Sequence, residues 1–345
     1  MRQTPSLCAP LVIERWAAFT GYAVLTMNIK KRHHYVPKAY LKAFTDADGR
    51  VLVYRKDEPA KVLRVDPNGA GFERYYYSQP TPDGGVDHNR LEDLFSKTEG
   101  LWPGIVDRLN VSKDVNNSLQ ELFEFMLLQR VRVPASRDAT EAKLAAQVHQ
   151  TLLDMVASGQ VPPPPSGLAG RLDEIVVTID PHRSIHGMAQ DVLAARGLLD
   201  RIGLCAIRNH TGTPFLTSDN PVIWFDPTVP VAELQPYSIS CGGPAMLFFP
   251  VSPTVVLVGS TDQKTSYSED GLMYGDVPDE EWVFRVNLEV CRFAYKAVYA
   301  SSPGFEDMIQ LFAGESPVWQ REGAGGRLVF GKRLPKPKWE RQQMG

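Results

Sequence analysis

A chain of 345 residues with 43% hydrophobic and 22% charged positions has an ordinary globular composition, which excludes a disordered or fibrous chain. A formal net charge of −3 excludes a protein that coats nucleic acid or anionic membrane through bulk positive charge. The four cysteines (Cys8, Cys205, Cys241, Cys291) are scattered, so neither a disulfide framework nor a C-x-x-C zinc site is indicated, and a cytoplasmic location fits.

No run of about twenty uninterrupted apolar residues exists, so neither a transmembrane helix nor a membrane partner is expected. Residues 1–26 read as an extension or mis-assigned start, disordered or loosely attached. Their apolar stretch is broken by Glu14 and Arg15, and Met27 directly precedes the first motif. Alternation over 50–54 and 61–65 around a turn predicts an N-terminal β-hairpin, and the aromatic-rich 72–78 adds a short strand. From Asp87 the three- and four-residue spacing of Leu91, Leu94, Leu101, Ile105 and Leu109, then of Leu119, Leu122, Met126 and Val131, predicts a central helical segment. Pro134 restarts that helix, which runs to about Val156, and the prolines of 162–165 form a stiff spacer.

A helix over 185–200 leads into C-terminal antiparallel strands at 204–208, 214–216, 222–225, 246–250 and 255–259. Asp279, Glu280 and Glu281 suit the first turn of a helix to about Tyr299, and a closing helix follows near 305–312. The order of strands, helices, strands and helices predicts one α+β domain over 27–331, with a basic tail over 332–345. Charge is unevenly spread. Residues 27–64 hold ten Lys/Arg against four Asp/Glu, and 246–290 hold two against eight; the simplest expectation is that these surfaces complement each other within the fold.

Four polar clusters interrupt the apolar elements. His33 and His34 sit among Lys31, Arg32 and Lys38; adjacent side chains in an extended segment point oppositely, so one can face a cleft while the other packs. Glu92, Ser96 and Glu99 share a helical face, suited to a divalent cation, to acid–base work or simply to solvent. Gln129, Arg130 and Arg132 end an apolar helix before Pro134, where guanidinium forks clamp phosphate or serve as surface pairs. Thr217-Ser218-Asp219-Asn220-Pro221 is a good turn, and its carboxylate also stands where metal ligands and general bases occur. There is no G-x-S-x-G elbow, phosphate loop or dinucleotide fingerprint.

Taken in order, these motifs resemble a mainly bacterial family known as domain of unknown function 4238 (DUF4238). The resemblance is carried by His33-His34-Tyr35-Val36-Pro37 with Tyr40, Leu41 and Phe44, by Tyr75-Tyr76-Tyr77, by the Glu99 helix, by Gln129-Arg130-Val131-Arg132 and by Thr217 through Val222. It spans about 32–299 and implies no activity. The residues themselves lead to one expectation: the clusters share a cleft and perform metal-assisted phosphodiester hydrolysis, as a nuclease does. Asp219 and Glu99 would hold Mg²⁺ or Mn²⁺, His34 or His33 would act as base, and Arg132 with Lys38 would steady the phosphate of a nucleic acid or nucleotide. Gln129, Arg130 and Asn220 complete the expected substrate contacts. The alternative is a non-enzymatic binding or regulatory module for a nucleotide or protein partner, in a defence or stress system.

Overall fold

The computed structural model describes residues 29–234, 237, 239, 242–321 and 328–330. The extension expected over 1–26 and the basic tail over 332–345 lie outside these residues. The described chain opens with β1 (Arg32–His34), the one-turn helix α1 (Lys38–Leu41) and the hairpin of β2 (Val51–Arg55) and β3 (Val62–Val65). Val51 lies opposite Val65 and Tyr54 opposite Val62, the register that the alternating pattern requires. β4 (Phe72–Arg74) pairs back onto β1, and β5 (Gln79–Pro80) pairs with β6 (Val86–Asp87).

The central segment is helical: α2 (Arg90–Glu99), α3 (Trp102–Asn110), α4 (Leu119–Val131), α5 (Pro134–Ala157) and α6 (Pro181–Leu199). Pro134 takes the first position of α5, where a missing N–H leaves no intrahelical bond unmade, so one helix ends and another begins there. After β7 (Gly203–Arg208) come β8 (Thr217–Ser218), β9 (Ile223–Phe225), β10 (Met246–Ser252) and β11 (Val255–Ser260). The chain continues through α7 (Lys264–Asp270), β12 (Met273–Asp276), α8 (Glu280–Phe293), β13 (Ala297–Ala300), α9 (Glu306–Phe312) and the hairpin of β14 (Trp319–Arg321) and β15 (Leu328–Phe330).

Two larger sheets organise these elements into an α+β fold. A five-stranded sheet has the order β12-β7-β11-β10-β9, antiparallel except for the β12–β7 pair, and a four-stranded antiparallel sheet has the order β3-β2-β13-β8. Alternation along β10 and β11 sends Leu247, Phe249, Val255 and Leu257 into the core under the helical layer. Phe248, Val256 and Val258 go to the other face, onto Val283, Val286 and Phe293 of α8. Val290 and Cys291 of the same helix pack on Tyr54, Val298 and Ile309, so α8 is shared by both sheets. Trp102 stacks on Phe125 at 3.9 Å and Tyr40 stacks on Phe249 at 5.6 Å between ring centroids, joining α1, α3, α4 and β10.

The expected strands over 72–78 and 214–216 are shortened or displaced. In the second case the Leu216 amide donates to the Asn287 side chain at 2.8 Å, and the sheet pairing passes to β8. The helix expected to reach Tyr299 stops at Phe293, and β13 follows. Asp219 accounts for that break, because it accepts hydrogen bonds from the backbone amides of the three residues leading into the strand.

Candidate functional site

The paired histidines lie on β1, where His33 faces Glu73 and His34 faces Phe72 across the ladder. Their side chains consequently diverge. His33 is fully buried; its Nδ1 accepts the Tyr77 amide at 2.8 Å, which leaves Nε2 to donate to the Lys30 carbonyl at 2.9 Å. Its ring stacks on Tyr77, and burial lowers its pKa, so a neutral imidazole latches two loops together. His34 tilts against Phe72 and keeps a buried Nε2 without a hydrogen-bond partner. Burial lowers its pKa too, with Arg132 and Arg32 acting in the same direction.

The end of α4 grips this strand. Arg132, 2% exposed, donates through Nη1 to Glu99 at 2.6 Å and through Nη2 to the His34 carbonyl, with its guanidinium 4.5 Å from the Phe95 ring centroid. Gln129 donates to the Tyr35 carbonyl at 3.0 Å and leaves its own Oε1 unpartnered. Beside Glu99, burial pushes the Glu92 carboxyl up to about 7, against the pull of Arg132. Lys38 is exposed on α1.

Asp219, completely buried, accepts the Tyr295 amide at 2.7 Å on one oxygen and the Lys296 and Ala297 amides at 2.7 and 3.2 Å on the other. Burial pushes its carboxyl up, against these amides and the nearby ammonium groups of Lys296 and Lys56. Asn220 donates to the Phe293 carbonyl at 2.8 Å and to the Tyr237 hydroxyl, and the Tyr237 ring lies 3.6 Å from the Arg130 guanidinium. The sequence-predicted residues thus meet in groups. His34, Glu99 and Arg132 touch; Gln129 joins them through Tyr35; Arg130 and Asn220 meet at Tyr237; Asp219 holds the start of β13.

In this arrangement the Glu99 carboxylate is bound to Arg132 and the Asp219 carboxylate to the backbone. Among the described residues no group of three or more His, Cys, Asp or Glu is placed to hold a metal ion. His34 has Phe72 against its ring and Arg132 on its carbonyl.

What the motifs do support is a cleft of 480 Å³ between β2 and β3, the 69–72 turn and the start of β13. Tyr35 from the histidine motif and Tyr295, Lys296 and Tyr299 from the stretch clamped by Asp219 form one side of it. Burial pushes the phenols of Tyr35 and Tyr299 well above the ordinary range, so both stay neutral. Lys56 is only 6% exposed and donates to the carbonyls of Arg292, Ala294 and Glu315 at 3.3, 2.8 and 2.9 Å. Burial pushes its pKa down to about 8, opposed by Asp219. Lys296 reaches Glu73 at 2.8 Å and remains partly open to the cleft.

Sequence reasoning missed Lys56, Lys296 and Tyr299. Lys56 follows a strand as any solvated lysine would, and the other two fell inside an expected helix. The one available signal was Gly71, whose φ of +63° marks the turn that lines the cleft. No curated protein and no solved structure matches the chain. The family model described as protein of unknown function (DUF4238) matches residues 32–304, most of the chain and all four motifs, and the chain therefore belongs to that family.

Proposed function

We propose that this protein is a non-enzymatic binding module that holds a nucleotide or a similar small aromatic anion in the cleft beside β13. The observation that carries this reading is the use made of the motif residues. Asp219, Gln129 and Arg132 engage backbone groups and fix the segments bearing Tyr35, Tyr295, Lys296 and Tyr299, while their own polar atoms face inward. A volume of 480 Å³ lies within the range of small-molecule sites, roughly 300–1,000 Å³. Aromatic walls suit a base or other ring, and the Lys296 ammonium, tethered to Glu73 on a flexible stem, suits a phosphate.

Metal-assisted hydrolysis draws less support, since it requires Asp219 and Glu99 to leave three amides and an arginine before they can hold a cation. The experiment is calorimetric titration with adenine and guanine nucleotides, in the wild type and in Lys296→Met. The expected result is saturable binding that weakens at least about tenfold in the variant, the loss of one charge-assisted contact. Absence of binding by every nucleotide rejects the reading. Metal-dependent cleavage of nucleic acid that disappears in His34→Gln, with the fold intact by circular dichroism, favours hydrolysis instead.

A further inference from the structure

The cleft beside β13 has an apolar end and a charged end, and the strand register orders them. Its floor is one face of the four-stranded sheet: Arg55 lies opposite Ala297, Val53 lies opposite both Tyr299 and Leu63, and all five line the cleft with Val65. The intervening Tyr54 and Val298 point the other way, into the cluster with Val290 and Ile309. Along β2 the floor is therefore apolar at Val53 and charged two residues later at Arg55. Lys56, Asp57, Lys296 and Glu315 line the cleft as well, and the Lys56 amide donates to the Lys296 carbonyl at 2.8 Å, which sets both lysines next to the Arg55 and Ala297 rung.

Arg55 is held from one side only. Its Nε and Nη2 donate to the two carboxylate oxygens of Asp57 at 2.9 and 2.5 Å, and these are the hydrogen bonds it makes among the described residues. The adjoining edge of the guanidinium, Nη1 with the second N–H of Nη2, presents two parallel donors that suit two oxygens of one anion, and Asp57 can stay in place while they are used. The Lys296 ammonium gives one of its three donors to Glu73 at 2.8 Å. The charges at this end balance: Arg55, Lys56 and Lys296 stand with Asp57, Glu73 and Glu315. It offers directed donors without surplus positive charge.

We propose that the cleft selects a nucleoside monophosphate over the free nucleoside and over the triphosphate, with the open edge of Arg55 and the Lys296 ammonium sharing the single phosphate. This rests on the cleft being a nucleotide site. A ring over Val53, Leu63 and Tyr299 lies two strand residues, about 7 Å, from the Arg55 position, a span that one pentose covers. Further phosphates would bring charge to an end whose cations are already matched, and would stand against the Asp57 and Glu315 carboxylates.

The test is calorimetric titration of the full chain with adenosine, AMP and ATP and with the guanine series, without divalent cations, in the wild type, Arg55→Met and Arg55→Lys. In the wild type the monophosphate is expected to bind at least about tenfold tighter than its nucleoside and its triphosphate. Arg55→Met should weaken the monophosphate at least about tenfold, and Arg55→Lys, which keeps the charge and loses the planar fork, at least about threefold. Arg55 is about half exposed, so both variants should keep the wild-type circular dichroism spectrum.

A triphosphate that binds as tightly as the monophosphate overturns the selectivity, and a monophosphate affinity unchanged in both Arg55 variants overturns the role of Arg55. Either result leaves the cleft as a nucleotide site, which Lys296→Met tests separately. No binding by any nucleotide rejects the site and its selectivity together.

Discussion

Asp219 is a carboxylate committed to the backbone. Three amides converge on it in a dry site, so replacement by Asn sets one side-chain NH₂ against N–H donors and leaves amides buried without acceptors. Asp219→Asn is expected to lose about 2–4 kcal/mol of stability, read as a lower urea midpoint. Little change would mean that the amides find other acceptors and that the carboxylate is held there for another purpose. Glu289 presents the opposite case on α8. Its Oε1 lies 3.4 Å from Arg292, its Oε2 is buried without a partner, and burial pushes the carboxyl from 4.5 up to about 7. A raised folded-state value means that the folded protein binds the proton more tightly than the unfolded chain. The stabilisation is fully present below pH 4.5 and is lost as pH rises through about 7. Relative to the wild type, Glu289→Gln should therefore gain ~2 kcal/mol between about pH 5 and pH 8, and a stability difference that ignores pH would reject this account.

At the scale of elements, the segment that shapes the cleft depends on Gly71. A Cβ added there would meet the Val36 Cβ at 2.8 Å and the Val36 carbonyl oxygen at 3.1 Å, on a backbone with φ of +63°. The Gly71 carbonyl also accepts the Tyr35 and Val36 amides at 2.8 and 3.0 Å, so strain in the turn passes directly to the histidine motif. Gly71→Ala should cost about 1–3 kcal/mol in denaturant titration and weaken whatever the cleft binds; an unchanged midpoint would show that the turn relaxes independently of β1. Elements built by local rules were legible in the sequence. The hairpin of β2 and β3 alternates, Pro134 opens α5, and Asp279 caps α8 by accepting the Trp282 amide at 2.9 Å. What was hidden depended on distant partners. The apolar pattern after Phe293 fits a helix as well as a strand, and only β2, β8 and Asp219 decide for β13. The same holds for the site. The motif residues were visible as polar interruptions, but whether a carboxylate receives backbone amides or a ligand is a property of the folded neighbourhood.

For the whole molecule, the uneven charge of the sequence survives folding. Cations within 27–64 pair with Asp46, Asp48, Asp57, Glu58 and Asp93, while acids within 246–290 pair with Arg208, His210, Arg285 and Arg292. None of these pairs joins the two stretches, so their complementarity is not made through these contacts. The basic stretch supplies β2 and β3, which wall the cleft, and carries ten cations against four anions. Charges on that side add into a field that an approaching anion feels before contact, and salt shortens its reach from about 30 Å at 0.01 M to about 8 Å at 0.15 M. Binding of a nucleotide in the cleft should accordingly show a rate constant for association that falls several-fold between about 0.02 and 0.2 M salt, with dissociation changing much less. Lys61→Glu, at an exposed position outside the cleft lining, should lower the association rate at low salt and bring it close to the wild-type rate at high salt. Stopped-flow fluorescence with a labelled nucleotide separates the two rate constants. If salt and Lys61→Glu act on dissociation instead, the charge works through contact in the bound state, and the basic stretch is part of the binding surface rather than a guide toward it.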